Sequence, residues 1–456
     1  MSIQKKLLTG LLLLILLRVP VFAQESGQSP TMGILDCIEY AKANQTQIRS
    51  ARIDEQIGEQ QIREARGTGL PQVNINASYE DKLKLPLLVV PGFGGEDGGG
   101  ITMGYQYNTS VSAEATQMIY DPTFGVALKA AKTTRSMYKQ QTAFSEEQTA
   151  YGVAVAYYQV IVVKKQLDLL QSNLRNAEET LKQTELQFKN GLAKAVDVSR
   201  LRVNVNTLRS RIDQSTLTLQ QVVSQLKYQM GMPLEQPLDI KEIEMNEEEL
   251  KLASENVQAE PKNRLDYQLL ETNMELQYLD QKRNSASYLP TLTAFANYAY
   301  QAQGAEFGVL PTDSNGWLDF STASIGLRLR IPVFQGLQRD ARIQQSKLKR
   351  YKIEEQISNK KETIKLEVTN AEIKYKNTLE RIDSEKENVE LAQSVLDITK
   401  LEFREGVSTS TDVVNAETAL TEAQNTYITT LLDLYTARLE LENAKGTIMD
   451  YLVINQ

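Results

Sequence analysis

The sequence predicts a mainly helical, internally duplicated chain that carries two short strand hairpins of membrane type. Three observations predict it. A tip sequence occurs twice: Phe188, Gly191, Asp197 and Val198 recur as Phe403, Gly406, Asp412 and Val413, at a constant offset of 215. Each tip is flanked on both sides by apolar residues spaced three and four apart, the pattern of helices paired along a seam. Upstream of each helical run, apolar and polar residues alternate one by one, the pattern of strands with two unlike faces.

Composition narrows the chemistry. The 456 residues include one Cys and no His. Lack of His removes the commonest general base and metal ligand, and a single Cys rules out a disulfide framework. Cys37, beside Leu35 and Ile38, reads as a small buried side chain. No nucleophile–base pair or metal cluster stands out. The Gly98–Gly100 run lacks the following Lys of a phosphate loop. No enzyme activity and no cofactor are expected. The N-terminus has Lys5 and Lys6, an apolar run from Leu7 to Leu17, and Val21-Phe22-Ala23. This is the pattern of a secretory signal peptide over residues 1–23. Its removal takes away Lys5, Lys6 and Arg18 and no acids, so the net charge goes from −8 to −11. That balance argues against nucleic acid as a partner.

Taken in order, Ile34, Ile38, Ala41, Ile48, Ala51, Ile57 and Ile62 predict a helix from Gly33 to about Ala65. Gly67, Gly69 and Pro71 end it. Val73, Ile75, Ala77 and Tyr79 then alternate with Asn74, Asn76 and Ser78, opening a strand hairpin over about 71–119. Pro122 opens a coiled-coil hairpin over about 122–231. Its outgoing seam runs Val160, Val163, Leu167, Leu170, Leu174, Ala177, Leu181, Thr184, Phe188, and its returning seam begins Val198, Leu201, Val205, Leu208. At the tip, Gly191 fits the left-handed position just past a helix end. Asp197 fits the start of the next helix, as a cap and at the favourable end of its dipole.

These elements make a first repeat of 24–232. An acidic stretch with prolines, 233–261, reads as a linker. The plan then repeats over 262–446. Leu289-Pro290 matches Leu70-Pro71, a strand hairpin spans about 290–332, Pro332 leads to the helices, and a coiled-coil hairpin spans about 336–446. Residues 447–456 form a C-terminal tail. Pro71, Pro122, Pro290 and Pro332 thus mark the helix–strand transitions.

Strands of roughly 10–15 residues are long enough to cross a bilayer at a tilt. Tyr79, Tyr105, Tyr107, Tyr298, Tyr300, Trp317 and Phe320 suit interfacial girdles. A soluble sheet with one buried face has the same alternation. Four strands cannot close a pore, and open edges are not tolerated in lipid; a membrane barrel therefore needs several chains, and three give twelve strands. The other reading of the same residues is an exported periplasmic coiled-coil scaffold or adaptor without a pore. Two equivalent hairpins alternating with amphipathic strands speak against it. Asp197 and Asp412 are helix caps by local logic, and symmetric copies of them make a charge ring at a pore mouth.

The doubled plan, the two Leu-Pro strand starts, the Gly-(Leu/Val)-x4-Asp-Val tips and the export signal together resemble the TolC-like outer membrane efflux proteins. The resemblance covers about Gly33 to Gly446. It implies a TolC-like fold: a homotrimer whose 12-stranded β-barrel in outer membrane lipid continues into a 12-helix coiled-coil α-barrel across the periplasm, belted by the linker and chain ends. It implies a passive exit duct of a tripartite efflux or type I secretion system, docked on a periplasmic adaptor (a membrane fusion protein) and driven by an inner-membrane pump. Gly191-Leu192 and Gly406-Val407 take the place of the family's adaptor-contact tips. Asp197 and Asp412 take the place of entrance aspartates. Three family gate positions differ: the Tyr is Phe403, which has no hydroxyl, the Arg is Ser408, and a second aspartate is Asn415. The resemblance therefore implies an entrance held more weakly, or by other groups.

Overall fold

One face of a four-stranded antiparallel sheet is apolar from edge to edge. In the computed structural model, which describes residues 31–89, 100–241, 260–311 and 316–454, the strands are β2 (Gln72–Asp81), β5 (Tyr107–Tyr120), β7 (Thr291–Gly304) and β8 (Leu318–Arg330), in the order β2-β5-β7-β8. The two hairpins predicted separately are therefore joined through β5 and β7. Register places Val73, Ala115, Ala296 and Ile325 in one row and Ile75, Ala113, Tyr298 and Ala323 in the next. Asn74, Glu114, Asn297 and Ser324 form a row on the opposite face, as the period of two requires. The apolar row is open to the surroundings: Val73 is 67 % and Ile325 87 % exposed. A small hairpin, β3 (Leu87–Val89) with β4 (Gly100–Thr102), extends the first strand pair. The expected signal peptide lies outside the described residues. Among the described residues no helix is long and apolar enough to cross a membrane.

The helices pack side by side as long rods. α1 (Ile34–Asn44) and α2 (Thr46–Gly67) precede β2. α3 (Pro122–Lys189) and α4 (Ala195–Met230) follow β5, α5 (Leu265–Ala286) precedes β7, and α6 (Gln338–Arg404) and α7 (Ser410–Lys445) follow β8. The 68 residues of α3 span about 100 Å at 1.5 Å per residue. Two shorter helices meet end to end to run beside each long one. The end of α4 meets the start of α2, and the end of α7 meets the start of α5. Glycine makes both junctions possible. Gly231 (φ +69°) and Gly446 (φ +77°) close α4 and α7 in the left-handed conformation. A Cβ on Gly231 would lie 2.9 Å from the Asn44 carbonyl oxygen, and one on Gly446 2.9 Å from that of Asn263.

Three features depart from the sequence expectation. The helix predicted from Gly33 to Ala65 is broken at Gln45, whose ψ of 126° is extended and whose side-chain amide donates to the Gln229 carbonyl (3.1 Å); the break admits the end of α4. The linker carries β6 (Asp239–Ile240), paired in parallel with β1 (Thr31–Met32), while 242–259 lie outside the described residues. The C-terminal tail contains a helix, α8 (Ile448–Ile454), that buries Ile448 and Leu452. These pieces surround the main core, where Tyr157, Tyr375, Leu434 and Leu439 are fully buried. The Tyr157 hydroxyl donates to the Lys241 carbonyl (2.6 Å), and the Tyr158 and Tyr435 rings stack at 4.7 Å. Cys37 is buried in the same core, and burial, then the neighbouring Asp36 charge, pushes its thiol pKa up to about 12.

The helix junctions are directly testable. Gly446→Ala puts an L side chain in the left-handed region, at about 1–2 kcal/mol, and adds a backbone clash. Its helical circular dichroism should melt at a clearly lower temperature. Gly125→Ala, in open space within α3, should leave the melting temperature unchanged or raise it, by up to about 1 kcal/mol of helix propensity. Equal melting of the two variants would remove the junction argument.

Candidate functional site at the hairpin tips

The two tips turn in the same way. The Leu192 amide donates to the Gln187 carbonyl (2.8 Å) and the Val407 amide to the Glu402 carbonyl (2.9 Å). Each bond reaches back five residues over a left-handed glycine, Gly191 (φ +76°) or Gly406 (φ +77°), which satisfies carbonyls left over at the helix end. Both turns present an uncovered apolar side chain at the extremity: Leu192 is 79 % and Val407 78 % exposed.

The two aspartates have different surroundings. The Asp412 carboxylate accepts the Thr409 hydroxyl (2.6 Å), the Thr409 amide (2.9 Å) and the Ser408 hydroxyl (3.3 Å). The Asp412 amide in turn donates to the Thr409 hydroxyl (3.3 Å), completing a capping box. Chiefly the Thr409 hydroxyl, then its amide, holds the Asp412 carboxyl below its ordinary value. Within its own tip Asp197 takes a long bond from the Lys194 amide (3.4 Å) and a long ion pair with Arg200 (3.9 Å). Its stronger contact crosses to the other hairpin. The Ser410 hydroxyl donates to Asp197 Oδ1 (2.6 Å), and the Arg200 guanidinium donates to Ser410 Oγ (2.9 Å). Ser410 is completely buried.

A second polar bridge lies about two helical turns further in. Asn204 on α4 donates to Glu417 on α7 (2.6 Å), and Lys400 on α6 pairs with Glu417 (3.0 Å). Nearby, Asn173 on α3 donates to Gln424 on α7 (2.9 Å). Of the other residues singled out from sequence, Phe403 is half-buried, lining a polar groove between α3 and α6 with Asn176, Gln183 and Lys400. Ser408 stays with its own tip, and Asn415 is exposed. The four prolines are distant from the tips. Pro71 and Pro290 immediately precede β2 and β7, and Pro122 is the first residue of α3, beside the Asp121 cap. Pro332 lies between β8 and α6.

Ser410, Asn204, Lys400 and Glu417 were not singled out from sequence. The duplication contains the signal. At the 215 offset, Glu185 and Arg202 correspond to Lys400 and Glu417. Both pairs form ion pairs, at 2.7 and 3.0 Å, with the charges exchanged. Only the second pair is buried against the other hairpin. Among the described residues no cluster suits a metal ion.

A sheet with an exposed apolar face, followed by helices about 100 Å long, suits a protein seated in a membrane by its strands. The chain belongs to the outer membrane efflux protein family, whose model matches residues 37–232 and 268–447. It is therefore a protein of the outer membrane. It is 23 % identical over 444 residues to outer membrane protein TolC of Escherichia coli (strain K12), covering 94 % of this chain and 86 % of that protein. Its fold is shared with CusC, with a TM-score of 0.71 at 15 % identity, over 93 % of this chain and 96 % of that one. It is shared also with VceC of Vibrio cholerae, with a TM-score of 0.67 at 15 % identity, over 91 % and 96 %.

The Asp412 cap has a pH signature. Because its folded pKa is depressed, the stabilisation is present above the ordinary aspartate pKa, about 3.9, and is lost as pH falls through the lower folded value. Asp412→Asn should speed amide hydrogen exchange at the second tip at pH 7. The difference from wild type should vanish in strong acid. Unchanged exchange at pH 7 would mean that the carboxylate does not hold the turn.

Proposed function

We propose that three copies of this chain form the outer membrane exit duct of a tripartite efflux or type I secretion system. The observation that carries this reading is a pair of matching open edges. Among the described residues, β2 and α2 lack an outer neighbour on one side, and β8 and α6 lack one on the other. The strand edges leave amides and carbonyls that lipid cannot satisfy. The helix edges leave Ile53 and Ile57 on α2, and Leu348, Tyr351 and Leu366 on α6, uncovered. Joining the edge of one chain to the opposite edge of the next satisfies both at once. Three chains then close a barrel of twelve strands and a helical tube beneath it. The linker 233–261 and the tail 447–456 belt the tube between the repeats 24–232 and 262–446.

The duct is a passive conduit, and an inner-membrane pump supplies the energy through a periplasmic adaptor. Leu192 and Val407, apolar and uncovered beside Gly191 and Gly406, are the tip residues that meet the adaptor. Asp197, Asp412, Phe403, Ser408 and Asn415 surround the periplasmic entrance. Phe403 has no hydroxyl to offer Asp197, and Ser410 supplies one instead. The Asp197–Ser410–Arg200 contact fastens the two hairpins of one chain and restrains the entrance.

Detergent extraction tests the assembly. The protein should resist alkaline washing and run as a trimer after extraction. A monomer that washes off membranes would overturn the reading. Single-channel recording tests the fastening. Ser410→Ala should raise conductance in planar bilayers several-fold, whereas Thr216→Ala, exposed on α4 away from the tips, should leave it near wild type. Equal conductance of Ser410→Ala and wild type would show that the contact does not restrain the entrance.

A further inference from the structure

Residues 306–309, after β7, fold back over the apolar face of the sheet. Gly304 shares the row of Tyr107, and Ala302 shares the row of Thr109, on the same face as Val73 and Ile325. The Trp317 ring lies directly on Gly304, where a Cβ would come within 2.3 Å of it. The Trp317 indole donates to the Glu306 carbonyl (3.1 Å). The Thr109 hydroxyl donates to the Val309 carbonyl (2.5 Å). Phe307 meets the Tyr107 ring edge-on at 5.7 Å, and Tyr107 stacks on Tyr79 at 6.4 Å. Thr109, Ala302 and Trp317 are buried beneath this fold. Phe307, Val309 and Leu310 face outward, and Phe307 is 79 % exposed.

We propose that residues 306–310 are an outer-leaflet anchor, seating Phe307, Val309 and Leu310 among lipid at the boundary of headgroups and acyl chains. This rests on the barrel reading above. Two observations select lipid over a second copy of the chain. The segment lies over β5 and β7, the two central strands, away from the edges where neighbouring chains join. It is also continuous with the apolar band of Val111, Tyr300 and Ala113 on the same face, which a membrane barrel turns toward lipid. Aromatic and aliphatic side chains beside tyrosines are the composition of a membrane interface. Glu306 limits the depth, because a carboxylate belongs at the level of the headgroups.

Site-directed nitroxide labelling tests the proposal on the full chain in phosphatidylcholine–phosphatidylglycerol vesicles. The single native cysteine, Cys37, is buried. Labels are placed at Phe307→Cys and, as a second position, Val309→Cys. Ile325→Cys on the strand face is the lipid reference, and Thr411→Cys at the exposed second tip is the aqueous reference. The ratio of oxygen to nickel-chelate accessibility at 307 and 309 should exceed that at 411 several-fold and approach that at 325. An aqueous ratio at 307 and 309, with 325 in lipid, overturns the anchor and leaves the barrel intact. Spin–spin broadening at 307 overturns it in favour of contact between copies. Aqueous ratios at 325 as well as at 307 overturn the barrel reading and the anchor with it.

Discussion

Two helices act as one rod only if their ends meet backbone to backbone. The architecture depends on that contact at Gly231 and Gly446. Each long helix, α3 or α6, is matched by a 36-residue helix and a 22-residue helix placed in line. Any side chain at the junction would force the shorter helices apart and uncouple the sheet from the tips. The junctions are reinforced by polar contacts of unlike kinds. At the first, Gln45 reaches the Gln229 carbonyl. At the second, Arg264 donates to the Ala444 carbonyl (3.0 Å) while pairing with Asp266 and Glu367, placing positive charge at the negative end of the α7 dipole.

Much of this was legible in the sequence, because periodicity reports a residue's own element directly. The seams, the tips and the alternating strands all come from spacing alone, and the 215 offset relates one half to the other. What spacing does not contain is the identity of a partner. A period of two is the same whether β5 pairs with β2 or with β7, so spacing alone does not give the strand order; four strands per chain joined in one sheet came only with the barrel reading. The break at Gln45 was hidden because apolar spacing continues across it; its cause is a carbonyl more than 180 residues away. The tail helix α8 is too short for a period to declare itself, and it is held by the burial of Ile448 and Leu452.

The tips show the same division. Gly191 and Gly406 follow from local rules, and so does the Asp412 cap. The Asp197 cap on the Lys194 amide follows from them as well, but its shorter bond, to Ser410, crosses to the other hairpin and does not. Burial of that serine, and of Glu417 against Asn204 and Lys400, turns two similar hairpins into one unequal pair. The exposed ion pair of Arg202 and Glu185 contributes little by comparison, since solvent screens it.

The exchanged charges also bear on how the gene can have been built. The second half carries Ser410 and Glu417 where the first has Ala195 and Arg202. A fusion of two first halves would thus leave Asp197 without its hydroxyl and set Arg202 in the slot that Glu417 occupies. The present halves are complementary parts, and neither can stand in for the other.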